Sequence, residues 1–108
     1  MSDRADRPAA AARRRLDAVV RGRVQGVGFR YFAIRAATEL RLVGWVANLA
    51  DGAVRCVAEG DPAALEAFVD RLREGPAAAI VDDVLTAWPP ATGEFASFSI
   101  RSGWHTGD

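Results

Sequence analysis

Residues 22–30 read Gly22-Arg23-Val24-Gln25-Gly26-Val27-Gly28-Phe29-Arg30, and this stretch joins two segments of different periodicity. Before it, Leu16, Ala18 and Val20 occur at every second position, which predicts a strand over 16–23 with one buried face. After it, apolar residues recur at helical spacing and predict a helix over 29–41. The buried side of that helix would consist of Phe29, Ala33, Ala36, Ala37 and Leu40.

Downstream, the pattern predicts a strand pair, a second helix and two more strands. The strand pair is a hairpin over 43–60. Asp61-Pro62 predicts a helix start, with an acceptor side chain at the N-cap and proline at the first helical position. Gly75-Pro76 ends this helix, whose buried stripe would be Leu65, Phe68, Val69 and Leu72. The last two strands are expected over 79–88 and 95–101.

The order of these elements predicts an α+β fold, a ferredoxin-like split βαβ sandwich (βαββαβ). One antiparallel sheet would carry two helices on one face, and a short C-terminal strand would follow. The other face of the sheet would meet solvent or a partner. We expect a disordered N-terminal arm over 1–14, which lacks periodicity, then the domain over 15–101 and a polar tail over 102–108.

Composition excludes several kinds of active site. The chain has 108 residues, half of them apolar, and a formal net charge of zero, so no overall field favours nucleic acid. Cys56 is the only cysteine and is expected to be buried and inert, and His105 is the only histidine. A histidine-based dyad in the core and a Cys/His metal site are therefore excluded. No apolar run approaches a membrane span and no signal peptide is recognisable, so we expect a cytoplasmic protein.

The glycine turn could bind an anion. Gly26 and Gly28 permit positive φ and a close approach of the backbone. The following helix N-terminus offers unpaired N–H groups and a partial positive charge, and Arg30 can add a planar fork of donors. The glycine spacing fits neither the Walker A loop nor the dinucleotide fingerprint. From spacing alone, an ordinary strand-to-helix turn is an equally good interpretation.

Asn48 is the second candidate. It ends the second predicted strand, in Gly44-Trp45-Val46-Ala47-Asn48. Its amide can both accept from and donate to one water molecule. Capping of the following turn is the more common role for such an asparagine, and on spacing alone it is the leading interpretation.

Both segments resemble signatures of the acylphosphatase family. Residues 22–30 resemble the first signature, G-x-V-Q-G-V-x-F-R, and residues 44–52 resemble the second, G-W-V-x-N-x-x-D-G. The resemblance covers residues 15–101 and includes Ala58-Glu59-Gly60 and the closing Phe98-Ser99-Ile100-Arg101. It implies a hydrolase acting on acid anhydrides, which splits the carboxyl–phosphate anhydride of acyl phosphates into a carboxylate and inorganic phosphate.

The resemblance also implies roles for individual residues. Arg30 would hold the phosphoryl group and Asn48 would position the attacking water. The turn would bind phosphate through its backbone N–H groups, from Arg23, Val24, Gln25, Gly26, Val27, Gly28 and Phe29. No metal or other cofactor is implied. The expected partner is a small-molecule acyl phosphate, with no nucleic acid and no membrane, and we expect a monomer because nothing in the sequence demands more.

Three other functions agree with parts of the sequence. A module of the same fold could bind acyl phosphates or other anions without turnover, and this is the main alternative. An RNA-binding sandwich would need paired aromatic residues on its central strands, and the run 53–60 has none. A fragment of a carbamoyl-transferring enzyme would share the loop pattern, but the zinc-finger cysteines expected beside it are missing.

Overall fold

The computed structural model describes residues 12–102, and within them five strands and two helices follow the predicted order. They are β1 (Arg14–Arg23), α1 (Phe29–Glu39), β2 (Val43–Asn48), β3 (Val54–Gly60), α2 (Pro62–Glu74), β4 (Ile80–Ala87) and β5 (Phe98–Ile100). Residues 1–11 of the predicted arm and 103–108 of the predicted tail lie outside the described residues. Arg14, which the arm was expected to include, instead begins β1 opposite Gly60.

The sheet has the strand order β4-β1-β3-β2-β5. The first four strands are antiparallel, as predicted for the split βαβ sandwich. The short β5 pairs in parallel with β2, Phe98 opposite Gly44 and Ile100 opposite Val46, so the sheet is mixed at this edge. Both β4 (Ile80–Ala87) and β5 (Phe98–Ile100) are shorter than predicted, although hydrogen bonds to β2 also involve Ser97 O and Arg101 N.

Both helices pack on one face of the sheet and form the core with it. The predicted alternation in β1 is confirmed, since Leu16, Ala18 and Val20 are fully buried. The predicted stripe of α2 is buried in full, and in α1 Phe29 and three alanines are buried while Leu40 packs at the margin. Burial of a large side chain such as Phe68 is worth about 1.5–3 kcal/mol, so these two stripes hold the helices on the sheet.

The start of α2 differs in one detail from the prediction. Asp61 occupies the N-cap position with an extended backbone, but its side chain makes no capping hydrogen bond. The predicted acceptor role is therefore wrong. The helix start depends instead on Pro62, whose ring fixes a helical φ and whose missing N–H has no intrahelical partner to lose.

The second face of the sheet is not open along its whole length. Glu59, in β3, is buried there and accepts hydrogen bonds from the backbone N–H groups of Thr92 (2.8 Å) and Gly93 (2.9 Å) and from Nε of Arg15 (2.7 Å). The segment between β4 and β5 is thereby fastened over this end of the sheet. The expectation that this face meets only solvent or a partner is wrong at this end.

Candidate active site

The turn between β1 and α1 depends on glycine for its backbone conformation. We call residues 24–28 the glycine loop. Gly26 has φ 76° and Gly28 has φ 82°, and both values lie in the left-handed region that other residues avoid. A Cβ at either position would meet no atom of residues 12–102 within 4 Å, so packing among them does not require glycine there. Within this part of the chain, nothing lies against the side of the loop toward which those Cβ atoms would point.

The helix N-terminus presents a row of backbone donors. The first N–H inside the helix ladder is that of Phe32, which donates to Gly28 O at 3.1 Å. Within residues 12–102, the N–H groups of residues 26–31 donate to no protein acceptor. The first turn of α1 contains no acidic residue that would compete for them. This arrangement can bind an anion through N–H groups and the helix dipole.

Three apolar side chains anchor the glycine loop and its exit. Val24 and Phe29 are buried in the core, and Val27 packs against it. Since the side chains of Val24 and Phe29 are buried, these two residues can meet a ligand only through their backbone. This fits the predicted role of the loop, which involves N–H groups rather than side chains.

Arg30 is the second residue of α1 and is partly buried. Among the arginines of residues 12–102, it alone combines partial burial with the lack of a carboxylate partner. The other partly buried arginines each form an ion pair: Arg15 with Glu59, Arg55 with Asp17, and Arg71 with Glu39. A partly desolvated guanidinium beside the positive end of a helix favours an anionic ligand.

The hairpin turn, residues 49–53, follows Asn48 at the end of β2. It is closed by hydrogen bonds from Leu49 N to Ala53 O (2.8 Å) and from Gly52 N to Leu49 O (3.2 Å). Asp51 caps it, because Oδ1 accepts from Ala53 N (3.0 Å) while Oδ2 pairs with Arg21 (3.0 Å). These two donors hold the pKa of Asp51 below its ordinary value.

The structure brings the glycine loop and the hairpin turn together. In the sheet, Val54 of β3 lies opposite both Val20 of β1 and Asn48 of β2. The C-terminal ends of β1 and β2 therefore lie at the same end of the sheet. Gln25 then joins the two segments, because its Nε2 donates to Leu49 O and to Ala53 O, each at 2.8 Å. The segments that carry Arg30 and Asn48 are therefore neighbours.

Arg23 is placed differently from the rest of the predicted site. It is the last residue of β1, its side chain is exposed, and it lies opposite Ile80 of β4. Strand β4 is on the other side of β1 from the hairpin turn. Arg23 is thus at the margin of the site rather than between its two halves.

From the sequence, Gln25 was expected to contribute its backbone N–H alone, and the hydrogen bonds of its side chain were not predicted. The ion pair between Arg21 and Asp51 was not predicted either. One signal for Gln25 was present. It is the one polar side chain between Val24 and Phe29, in a loop otherwise made of glycine and valine.

Cys56 does not contribute a nucleophile. It is fully buried on β3, as predicted, and burial together with the negative charge of Asp17 raises the pKa of its thiol. Within residues 12–102, no three His, Cys, Asp or Glu side chains are grouped so that they could hold a metal ion. In the same part of the chain, no helix is long and apolar enough to cross a membrane.

Fold and loop together define a class: an α+β sandwich in which a glycine loop leads into a helix N-terminus whose N–H groups have no acceptor within residues 12–102. The family model for acylphosphatase matches residues 16–100, nearly the whole of the described domain. The chain belongs to the acylphosphatase family. The resemblance noted in the two signatures and the predicted ferredoxin-like fold are thereby confirmed.

Relatives and solved structures agree with this assignment. The acylphosphatase of Dehalococcoides mccartyi strain CBDB1 is 52% identical over 87 residues, which cover 80% of this chain and 96% of the relative. The crystal structure of acylphosphatase from Bacillus subtilis has a TM-score of 0.79 at 39% identity, covering 82% of this chain and 98% of that one. Full-length HypF in a phosphate- and nucleotide-bound form has a TM-score of 0.77 at 28% identity, covering 83% of this chain but 12% of HypF.

Proposed function

We propose that this chain is an acylphosphatase that hydrolyses acyl phosphates to a carboxylate and inorganic phosphate. The observation that carries the proposal is Arg30, a partly buried arginine without a carboxylate partner in the described residues, at a helix N-terminus whose N–H groups are open. The relative from Dehalococcoides mccartyi, named acylphosphatase and matched over 96% of its length, supports the same reaction.

Binding of the phosphoryl group would use two kinds of donor. Arg30 supplies a planar fork that suits two phosphoryl oxygens, and the N–H groups of the glycine loop and first helical turn supply the rest. These donors are fixed by the fold before the substrate arrives. They can therefore stabilise the charge that develops on the phosphoryl oxygens without reorganising.

The chemistry of the substrate explains why so few residues are needed. The leaving group is a carboxylate, and its conjugate acid has a pKa of about 4. Such a group departs as an anion without protonation by a general acid. The protein then has two tasks, which are to place a water molecule in line with the breaking bond and to stabilise charge.

Asn48 is proposed to place that water. Its amide oxygen can accept a hydrogen bond from the water, and its N–H group can donate a hydrogen bond to the same molecule, so that the water is held in one orientation. The water oxygen bonds to phosphorus as the bond from phosphorus to the carboxylate oxygen breaks. An amide is too weak a base to take the proton, so a phosphoryl oxygen of the substrate receives it. A rate that depends strongly on a protein group titrating near neutral pH would contradict this step.

The reaction is proposed to need no metal ion or other cofactor. Turnover should then be the same before and after dialysis against EDTA, and added Mg²⁺ should not raise it. We also propose that the enzyme works as a monomer in the cytoplasm. Size-exclusion chromatography at two protein concentrations tests the first part of that proposal, since a monomer elutes in both at the volume expected for a single chain of 108 residues.

The decisive experiment incubates the purified protein with acetyl phosphate or benzoyl phosphate and measures the release of inorganic phosphate above the uncatalysed rate. The main alternative is an anion-binding module without turnover. It predicts that inorganic phosphate binds, as detected by calorimetry, while acyl phosphate remains intact. The Arg30→Ala variant serves as the control, because it should lose both phosphate binding and turnover if the site is correctly assigned.

A further inference from the structure

The carboxamide of Gln25 is oriented by acceptors on both of its N–H bonds. Its Nε2 lies 2.8 Å from the carbonyl oxygen of Leu49 and 2.8 Å from that of Ala53. A carbonyl oxygen can only accept, so the nitrogen of the amide must face these two groups. Both protons are then in use. The remaining atom, Oε1, only accepts, so the side chain has no donor left for a phosphate oxygen.

The two acceptors are the groups that close the hairpin turn. Ala53 O also accepts from Leu49 N, and Leu49 O also accepts from Gly52 N. The Gln25 amide therefore binds the two carbonyl groups at which the turn closes. We call these two hydrogen bonds the Gln25 bridge. Leu49 directly follows Asn48, so a displacement of the Leu49 carbonyl moves the backbone of the residue next to Asn48.

On its other side, the bridge is attached to a part of the loop that is anchored in the core. Gln25 stands between Val24, which is buried in the core, and Gly26, whose positive φ starts the tight part of the loop. The loop leads directly to Arg30 in the first turn of α1. The bridge thus spans the interval between the segment that carries Arg30 and the segment that carries Asn48.

We infer that Gln25 is a positioning residue for the reaction. Its side chain holds the hairpin turn, and with it Asn48, in a fixed place relative to the anion-binding loop. The inference rests on the proposed function of that loop and of Asn48. Loss of the bridge would leave Arg30 and the backbone N–H groups in place, so phosphate would still bind while the water would be misplaced.

The Gln25→Met variant tests this prediction, because methionine has a similar length and shape and no donor. We expect kcat to fall about 10–100-fold, the effect of a misplacement on the order of 1 Å. The inhibition constant of inorganic phosphate should stay within about twofold, since no donor to the anion is removed. Arg71→Met is the control, because it removes a surface ion pair with Glu39 between the two helices and should leave both constants unchanged.

A spectroscopic test does not depend on turnover. The chain contains one glutamine and one asparagine, so Gln25 and Asn48 supply the two side-chain NH₂ pairs of its ¹⁵N–¹H spectrum. In the wild-type protein, the Gln25 pair should exchange slowly with solvent, because carbonyl groups hold both protons. In Gln25→Met, the Asn48 pair should shift or broaden, and in Arg71→Met it should stay where it is.

The two tests separate this inference from the proposed activity. If the wild-type protein releases no phosphate but the NH₂ protons of Gln25 exchange slowly, the proposed activity is wrong, while the Gln25 bridge itself is confirmed. If the enzyme is active and the Gln25 pair exchanges as fast as free glutamine, the inference is overturned, and this result needs no variant that must fold. A folded Gln25→Met protein with wild-type kcat also overturns it. So does a loss of phosphate affinity equal to the loss in kcat, because Gln25 would then shape the anion site itself.

Discussion

The guanidinium of Arg15 donates from Nε to the buried carboxylate of Glu59 at 2.7 Å, and this pair joins β1 to β3 under the segment that connects β4 with β5. The same carboxylate accepts the backbone N–H groups of Thr92 and Gly93. Burial raises the pKa of Glu59, but the two N–H groups and Arg15 outweigh it and bring the pKa to about 2. The pair is therefore part of the stability of the fold, at the far end of β1 from the glycine loop.

The first prediction concerns acid stability. Because the folded protein holds the pKa of Glu59 below its ordinary value, the stability from this group is fully present above about pH 4.5 and is lost as pH falls toward 2. A displacement of this size corresponds to about 3 kcal/mol of unfolding free energy at neutral pH. Denaturant unfolding at pH 7, 4.5, 3 and 2 measures it.

Glu59→Gln is the control for this measurement. Glutamine keeps the shape but cannot ionise, so the variant should be less stable at pH 7 and should lose less of its remaining stability between pH 4.5 and 2. If the wild type and the variant lose equal stability over this interval, other carboxylates such as Asp51 account for the acid response and the role given to Glu59 is wrong.

Glu59 also marks the limit of what the sequence can predict. Alternation along β3 places it on the same side as Arg55 and Val57, and this much was predictable. Its burial was not, because its partners Thr92 and Gly93 are more than 30 residues away, in a stretch of Pro, Ala, Thr and Gly without periodicity. Local patterns report which face a residue occupies, but they do not report which distant segment covers that face.

The candidate site shows the same division. The glycine spacing, the helix after it and the position of Asn48 at a strand end were predictable, because each depends on local patterns. The Gln25 bridge was not predictable from patterns, since it joins Gln25 to two residues that lie 24 and 28 positions farther along the chain. The pair between Arg21 and Asp51 likewise depends on strand register, which periodicity alone does not specify.

The second prediction tests Arg30. Arg30→Ala should weaken phosphate binding about 10–100-fold, because it removes charge-assisted bonds to the anion. Turnover should fall about 10³-fold or more, as expected for an arginine that stabilises a phosphoryl transition state. Calorimetry with inorganic phosphate and initial rates with benzoyl phosphate measure the two effects.

Arg35→Ala is the matched control for Arg30, because Arg35 lies on the same helix, is exposed and has no carboxylate partner within residues 12–102. It should leave binding and turnover near the wild-type values. If Arg35→Ala reduces activity as much as Arg30→Ala, a general electrostatic effect explains the loss. Substantial activity in Arg30→Ala would show that Arg30 does not hold the phosphoryl group.

The third prediction tests Asn48. Asn48→Ala should retain phosphate affinity and lose about 10²–10³-fold in turnover, the scale of one oriented polar group. The physical reason is that Asn48 is proposed to act on the water and not on the phosphoryl oxygens. If phosphate affinity is lost together with turnover, Asn48 holds the ligand or the local structure instead.

The fourth prediction concerns Cys56. Its thiol is fully buried and its pKa is raised by burial and by the charge of Asp17, so little thiolate forms at neutral pH. Iodoacetamide should leave the folded protein unmodified and fully active, while the same treatment in denaturant should add one label per chain. Mass spectrometry counts the label. Inhibition of the native enzyme at a rate that follows labelling of Cys56 would contradict the proposed mechanism, which uses no thiol.

The fifth prediction distinguishes two effects of replacing a glycine of positive φ, which are the loss of stability through backbone strain and the loss of phosphate binding. Gly26 (φ 76°) and Gly93 (φ 74°) have nearly the same backbone angle, and a Cβ at either would meet no atom of the described residues, 12–102, within 4 Å. Alanine should therefore destabilise both positions by about 1–2 kcal/mol through left-handed strain alone. The two variants should be alike in thermal and denaturant unfolding.

They should differ in phosphate binding. In Gly26→Ala, relief of the strain turns peptides of the glycine loop and re-aims N–H groups that are proposed to bind phosphate. Affinity for inorganic phosphate should then fall about tenfold, the size of one hydrogen bond to a charged group. Gly93 lies in the segment held by Glu59, away from the loop, so Gly93→Ala should bind phosphate and turn over substrate as the wild type does. Equal affinities in the two variants would mean that the conformation at Gly26 serves the fold and not the anion.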